Sequence, residues 1–258
     1  MKLDSTIVAA GTALVVNFIT RGDLGPGKTL ADIWDVILGN YFHALNEKSK
    51  AKYQEKIDDF KKTLGEKIVS IPEDQVQDPK MSIVGPALEA SKYYFDEKEI
   101  REMFSNLIAS SMNSTYNGIV QHSFVEIIKQ LSPYDARLFA SLDNNEAIID
   151  IILENDKGHY HRLVTEFFIS DSFSDYTQNS ISLINLEKQG LIKIFYDLHL
   201  TNDLYYSKYE NSTYYKEIKN KSWGPVDNLR SKVSMKKYKF EVTPLGKAFK
   251  EICVKDSL

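Results

Sequence analysis

Apolar positions in this chain recur mostly at intervals of three and four, so much of it reads as one amphipathic helix after another. A densely charged stretch over 46–70 carries Tyr53, Ile57, Phe60, Leu64 and Ile68 on one narrow stripe. That pattern predicts a long helix that packs on a single neighbour or pairs with itself. Ile71 to Lys80 holds two prolines and reads as a linker or strapping loop. Pro86 suits the first turn of a helix running to about Phe95. Asp96 followed by Glu99 has the form of a capping box. After it, Ile100, Met103, Phe104, Leu107 and Ile108 mark the clearest amphipathic face in the chain. Asn113 to Gly118 breaks that helix, and Phe124, Ile127, Ile128 and Leu131 mark the next.

Ser132-Pro133 is a helix start, a capping hydroxyl followed by a proline whose missing N–H costs nothing there. Short helices are predicted over 133–142, 145–154 and 159–169, and a fourth from near Thr177, carrying Ile181, Ile184 and Leu186, to Gly190. The period then drops to two: 191–196 reads as a strand and Tyr238 to Val242 as its partner. Thr243-Pro244 caps a last helix ending at Cys253. The expected fold is therefore mainly α, with a helical domain over 1–131 and a winged-helix-like domain over 132–258 with a small antiparallel β-hairpin. The helical domain divides into an N-terminal segment (1–45), the long charged helix (46–70) and the central helices (83–131). The hairpin would be the wing. Its insertion, about 197–237, is rich in Tyr, Asn, Ser and Lys and is expected to be mobile.

The N-terminal run from Ser5 to Thr20 has no charge but includes Thr12 and Asn17, and falls short of the roughly 20 apolar residues a span requires. A buried helix fits it best; membrane contact by residues 5–20 and a signal peptide are the other readings. The net charge of −4 over 258 residues gives no chain-wide attraction to nucleic acid. The single cysteine, Cys253, permits neither an internal disulfide nor a cysteine zinc cluster, which fits a reducing cytoplasm.

Gly22 to Thr29 matches GxxxxGK[ST], so Gly22, Gly27, Lys28 and Thr29 are candidates for a phosphate loop in which backbone N–H groups wrap phosphate and the hydroxyl holds magnesium. The alternating strand-helix context that such a loop needs does not follow it. The nearest apolar-run-then-Asp candidates for a metal partner, Asp150 and Asp197, lie on a predicted helix and after the wing strand. A Gly/Pro turn explains the match without chemistry. His159 and His161 form an HxH pair with no third ligand nearby. None of Arg21, Arg101, Arg137, Arg162 or Arg230 is followed by a histidine at the four-to-six spacing of many toxin ribonucleases. Neither a catalytic residue, a metal site nor a cofactor is indicated. Between Lys216 and Lys239 eight basic residues face only Glu217 and Asp227. Arg230, Lys232, Lys236, Lys237 and Lys239 on the wing, with Lys188 at the end of the candidate recognition helix, are the residues that would meet nucleic acid. That helix is otherwise polar and scarcely basic, and winged helices also bind protein.

The stretch from Pro72 to Phe139 carries a denser signature: Gly85-Pro86-Ala87-Leu88-Glu89-Ala90, Arg101-Glu102-Met103-Phe104, Leu107-Ile108-Ala109-Ser110-Ser111, His122-Ser123-Phe124 and Leu131-Ser132-Pro133. These blocks, with LEKQGLI and VTPLGKAFKEIC near the C-terminus and GKTLADIWDVILG near the start, resemble the Abi-alpha (abortive infection alpha) family of bacterial phage-resistance proteins. The resemblance implies phage defence in which infected cells stop growing or die, through a protein partner or phage component not yet named. It brings no assigned active site. The alternatives are a DNA-binding winged-helix regulator, a P-loop nucleotide-binding protein and a membrane-acting effector.

Overall fold

A computed structural model describes residues 26–39, 41 and 47–254. Its helices are α1 (Pro26–Trp34, continued by a π turn over Asp35–Gly39), α2 (Glu47–Val69), α3 (Met81–Ser91), α4 (Lys98–Ser111), α5 (Ser123–Gln130) and α6 (Pro133–Ser141). Then come β1 (Asn145–Asn155), β2 (Tyr160–Phe167), α7 (Tyr176–Lys188), β3 (Ile192–Phe195), α8 (Leu204–Asn211), α9 (Thr213–Asn220), β4 (Ser231–Val242) and α10 (Pro244–Phe249), continued by a π turn over Lys250–Val254. Two compact units result. One comprises the chain up to residue 136 and again from 248; the other is residues 137–247.

In the first unit α2 buries Ile57, Phe60, Leu64 and Ile68 and packs on α4. The stripe that suggested self-pairing is thus covered within the unit. Ile100, Met103, Phe104, Leu107 and Ile108 of α4 are all essentially inaccessible. Arg101 is buried with them. Its Nη1 donates to the Phe95 carbonyl and its Nη2 lies 2.6 Å from Asp59 on α2, so the cation enters the core only with both ends partnered. The terminal turn is tied to α4 by Asn106, whose Nδ2 donates to the Cys253 carbonyl at 2.9 Å.

Two helix starts differ from expectation. Pro86 lies inside α3, which begins at Met81. The proline deprives only the Ser82 carbonyl of a donor, and Ser82 is exposed. The cap of α4 is Glu97, without a side-chain bond, while the Asp96 carboxylate is drawn to Lys52 and Lys56 of α2. The start of α6 is as expected, and reciprocal: Ser132 Oγ accepts the Asp135 N–H at 3.1 Å, and Asp135 Oδ2 accepts the Ser132 N–H at 2.8 Å.

The second unit departs furthest from the pattern. Residues 145–154 and 159–169, expected as helices, form the strands β1 and β2. The run Ala147-Ile148-Ile149-Asp150-Ile151-Ile152 satisfies a buried strand as readily as a helix, and its β-branched isoleucines favour the strand. The sheet is antiparallel, in the order β2-β1-β4-β3. The hairpin between β3 and β4 pairs Ile192 with Val242 and Ile194 with Phe240, as expected, but β4 begins at Ser231 and also pairs along β1. The insertion expected to be mobile is instead built into the fold. It supplies α8 and α9, which bury Tyr206, Tyr209, Tyr215 and Ile218 against Ala147, Ile149, Ile151 and Phe167. The helix–strand–strand outline of α7, β3 and β4 stands, preceded by strands where short helices had been expected. Gly190, at φ 74°, ends α7 in the left-handed region where a glycine is needed.

Candidate functional site

Side chains alternate along a strand, so the odd-numbered residues of β1 that meet α8 and α9 leave Ile148, Asp150 and Ile152 for the opposite face. The register puts Tyr238, Lys236 and Ser234 of β4 beside these three, and Arg162 of β2 beside Ile152. Between Ile149 and Ile152 the pairing with β2 slips twice, a pair of bulges in which β2 carries the extra residues. Glu166 sits in that irregular stretch with φ 47°, a left-handed conformation unusual for a residue with a side chain. The strain aims the Glu166 N–H at Asp150, whose Oδ1 accepts it at 3.1 Å.

Asp150 is wholly buried, and its second oxygen lies 3.1 Å from Arg162 Nε, an ion pair without an aligned hydrogen bond. Burial pushes the carboxyl up from its ordinary range, and the Glu166 N–H and the Arg162 charge pull back against it. Arg162 is itself half exposed. Lys236 Nζ stands 3.9 Å from the centre of the Tyr160 ring. The neighbouring Lys236 ammonium draws Tyr160 below the ordinary phenol range, and Arg162 adds to the effect. Tyr196 donates to Glu166 Oε1 at 2.8 Å and stands edge-on to Tyr238 at 5.3 Å; burial and the Glu166 bond both push its phenol well up. One face of the sheet thus gathers a buried carboxylate, two cations and several phenols. A buried anion that fixes a half-exposed arginine orients the guanidinium toward solvent, which suits recognition of an anion.

The residues singled out from the sequence fall in different places. Alternation splits the basic strand: Lys232 and Lys236 share the face of Asp150, whereas Lys237 and Lys239 lie on the other. Lys232 approaches Glu154 at 3.7 Å, Lys237 approaches Asp203 at 2.8 Å and Lys239 approaches Glu241 at 2.5 Å. Arg230 and Lys188 are exposed, the latter in the last turn of α7. Gly22 lies outside the described residues, as does the run from Ser5 to Thr20. Gly27, Lys28 and Thr29 are in the first turn of α1, in the unit that lacks the sheet. Among the described residues no cluster of three metal-ligating side chains occurs, and no helix is long and apolar enough to cross a membrane.

Asp150, Tyr160, Arg162, Glu166, Tyr196 and Tyr238 were not assembled from the sequence, because 145–154 and 159–169 had been read as helices. The available signal was a lone aspartate inside AIIDIILE, a charge that a buried strand accepts only with a partner. The outward surface of α7 was also missed. Leu183 and Leu186 are buried, and Ile181 and Ile184 stand 57% and 52% exposed. In the first unit a polar cleft of about 260 Å³ is lined by Lys67, Ser70, Asn106, Ser110, Asn113 and Glu251 among others.

Residues 52–253 match the family described as Abortive infection alpha. No curated protein and no solved structure shows a significant match to the chain.

Proposed function

The chain belongs to the abortive infection alpha family, and from that premise we propose that it acts in defence against phage, in the cytoplasm, by binding a protein partner through the outward face of α7. The observation that carries this reading is the exposure of Ile181 and Ile184, three residues apart on one helix face. Neighbouring aliphatic side chains left in water on a helix whose other side is fully used suit a helix surface awaiting a partner. In this reading the second unit, where α7, β3 and β4 follow one another as helix, strand and strand, is the reader.

The test is infection of cells that express the wild type or an Ile181→Glu, Ile184→Glu variant, with phage yield and host survival scored together. Loss of protection in the variant, with an unchanged circular-dichroism spectrum and melting temperature, is the expected outcome. Full protection by the variant would overturn the reading. A DNA-binding winged-helix regulator is the second reading, and the exposed Arg230 and Lys188 near the hairpin and α7 favour it. It predicts DNA binding that falls steeply with salt and weakens on charge reversal at Lys188 and Arg230.

A further inference from the structure

Most of the wing lysines already have carboxylate partners. Lys236 is different: among the described residues no carboxylate lies within ion-pair distance of it, and its ammonium instead stands over Tyr160. On the same face the Arg162 Nε lies 3.1 Å from Asp150 Oδ2, while the side chain as a whole is 45% exposed and has the Tyr160 and Tyr238 phenols beside it. The arrangement is built from beneath. Asp150 is 0% exposed and held by a strained backbone N–H, so it fixes the guanidinium without itself reaching solvent. The Tyr238 side chain, next along β4 on this face, is 6% exposed and lies close enough to Arg162 to interact with it.

We propose that Arg162 and Lys236, flanked by the Tyr160 hydroxyl, form a binding site for a phosphomonoester, the phosphate of a nucleotide or of a nucleic-acid 5′ end. Two strands on opposite sides of β1 supply the cations, so their donors converge from different directions, as a tetrahedral oxyanion accepts them. A planar carboxylate is better served by one complete guanidinium fork, and Arg162 has already committed part of its fork to Asp150. The Tyr160 phenol lies beside both cations, and their charge draws it below the ordinary phenol range. The site is independent of the outward face of α7.

The experiment is calorimetric titration of the full chain with inorganic phosphate, a nucleoside 5′-monophosphate, and a short single-stranded oligonucleotide with and without a 5′-phosphate. Binding of a phosphomonoester is expected, weakened about tenfold or more by Lys236→Gln and by Arg162→Gln, since each removes one charge-assisted contact. Arg162→Lys, which keeps the charge beside Asp150, is expected to lose less. The melting temperature is read alongside; should Arg162→Gln unfold the sheet, Lys236→Gln on the exposed side decides alone. Binding of the monophosphate identifies a nucleotide as the source, and binding of the 5′-phosphorylated oligonucleotide alone identifies a nucleic-acid end. Equal binding of both oligonucleotides would overturn the proposal in favour of a phosphodiester backbone. So would binding unaffected by either Gln variant, or the absence of binding with every probe.

Discussion

The two units are held together by different chemistry. In the first, α4 is enclosed by aliphatic side chains and phenylalanines, with Phe60 edge-on to Phe95 at 5.9 Å and Phe124 edge-on to Phe249 at 5.3 Å. Its buried polar groups mostly serve the helices, as when Ser91 and Ser111 return their hydroxyls to carbonyls three residues back. In the second, tyrosines do much of the packing. Tyr206 donates to the Tyr238 carbonyl at 2.7 Å and accepts the Leu200 N–H at 2.9 Å; Tyr209 donates to the Ala147 carbonyl at 2.5 Å. A core of hydrocarbon tolerates shape changes so long as volume is kept, whereas a core tied by phenols depends on each partner being present. The second unit is also where a charge is fully buried and where cations stand ready for a ligand.

The contrast can be measured unit by unit because the chain has two tryptophans, and Trp34 and Trp223 lie in different units. A Trp223→Phe background leaves Trp34, buried against Phe60, to report the first unit, and a Trp34→Phe background leaves Trp223 to report the second. The largest expected effect is Phe104→Ala, which empties a fully enclosed ring site and should cost about 4 kcal/mol, seen first in the Trp34 signal. Loss of the Trp223 signal ahead of that of Trp34 would break the division between the units. Next is Gly246→Ala in the second unit. An added Cβ would meet the Leu191 backbone carbonyl oxygen at 2.0 Å, and the repacking should cost about 3 kcal/mol, with the Trp223 signal leading.

Legibility from the sequence follows the same division. The α4 face and the α2 stripe could be read directly, because a 3.6-residue period with one apolar side has a single solution. The cap at Ser132 and the stop at Gly190 were equally plain, since each residue type serves a backbone need. β1 was not, because a run of isoleucines buried on both faces has no period to betray it. The candidate site went with it. Asp150 and Arg162 are twelve residues apart in the sequence and meet only if both segments are strands paired through a bulge. The insertion's polar composition suggests mobility, yet its tyrosines are amphipathic, with rings that pack and hydroxyls that bond. The likeness to the abortive infection alpha family was legible because it lies largely in the helical blocks of the first unit.

A smaller effect probes the phenol ties themselves. Tyr206→Phe keeps the ring and removes one oxygen that serves two backbone groups, leaving the Leu200 N–H and the Tyr238 carbonyl each short of a partner. Leaving such groups unsatisfied should cost about 2 kcal/mol in denaturant melts of the second unit. A cost near zero would mean that water takes over both bonds, and the second unit would then be as forgiving as the first.

The smallest effect concerns the buried charge and is visible only as a slope with pH. Asp150 is pushed up by burial in the folded protein, so the native state holds its proton at a pH where the unfolded chain has released it. Above the folded value both states are ionised and the full penalty of burying the charge applies. As pH falls through that value toward the ordinary carboxylate range the native state takes up a proton, and stability contributed by this group rises. Asp150→Asn cannot take up that proton. The wild type should therefore gain on the variant as pH is lowered from 7 toward 4, by at most about 1.4 kcal/mol per pH unit, the limit set by one proton. Acid-induced changes elsewhere, such as loss of the Asp96 and Asp203 pairs, occur in both proteins and cancel in the difference. A variant that instead gains on the wild type on acidification would mean that Arg162 holds Asp150 charged more strongly than burial opposes it, and the second unit would rest on a true ion pair.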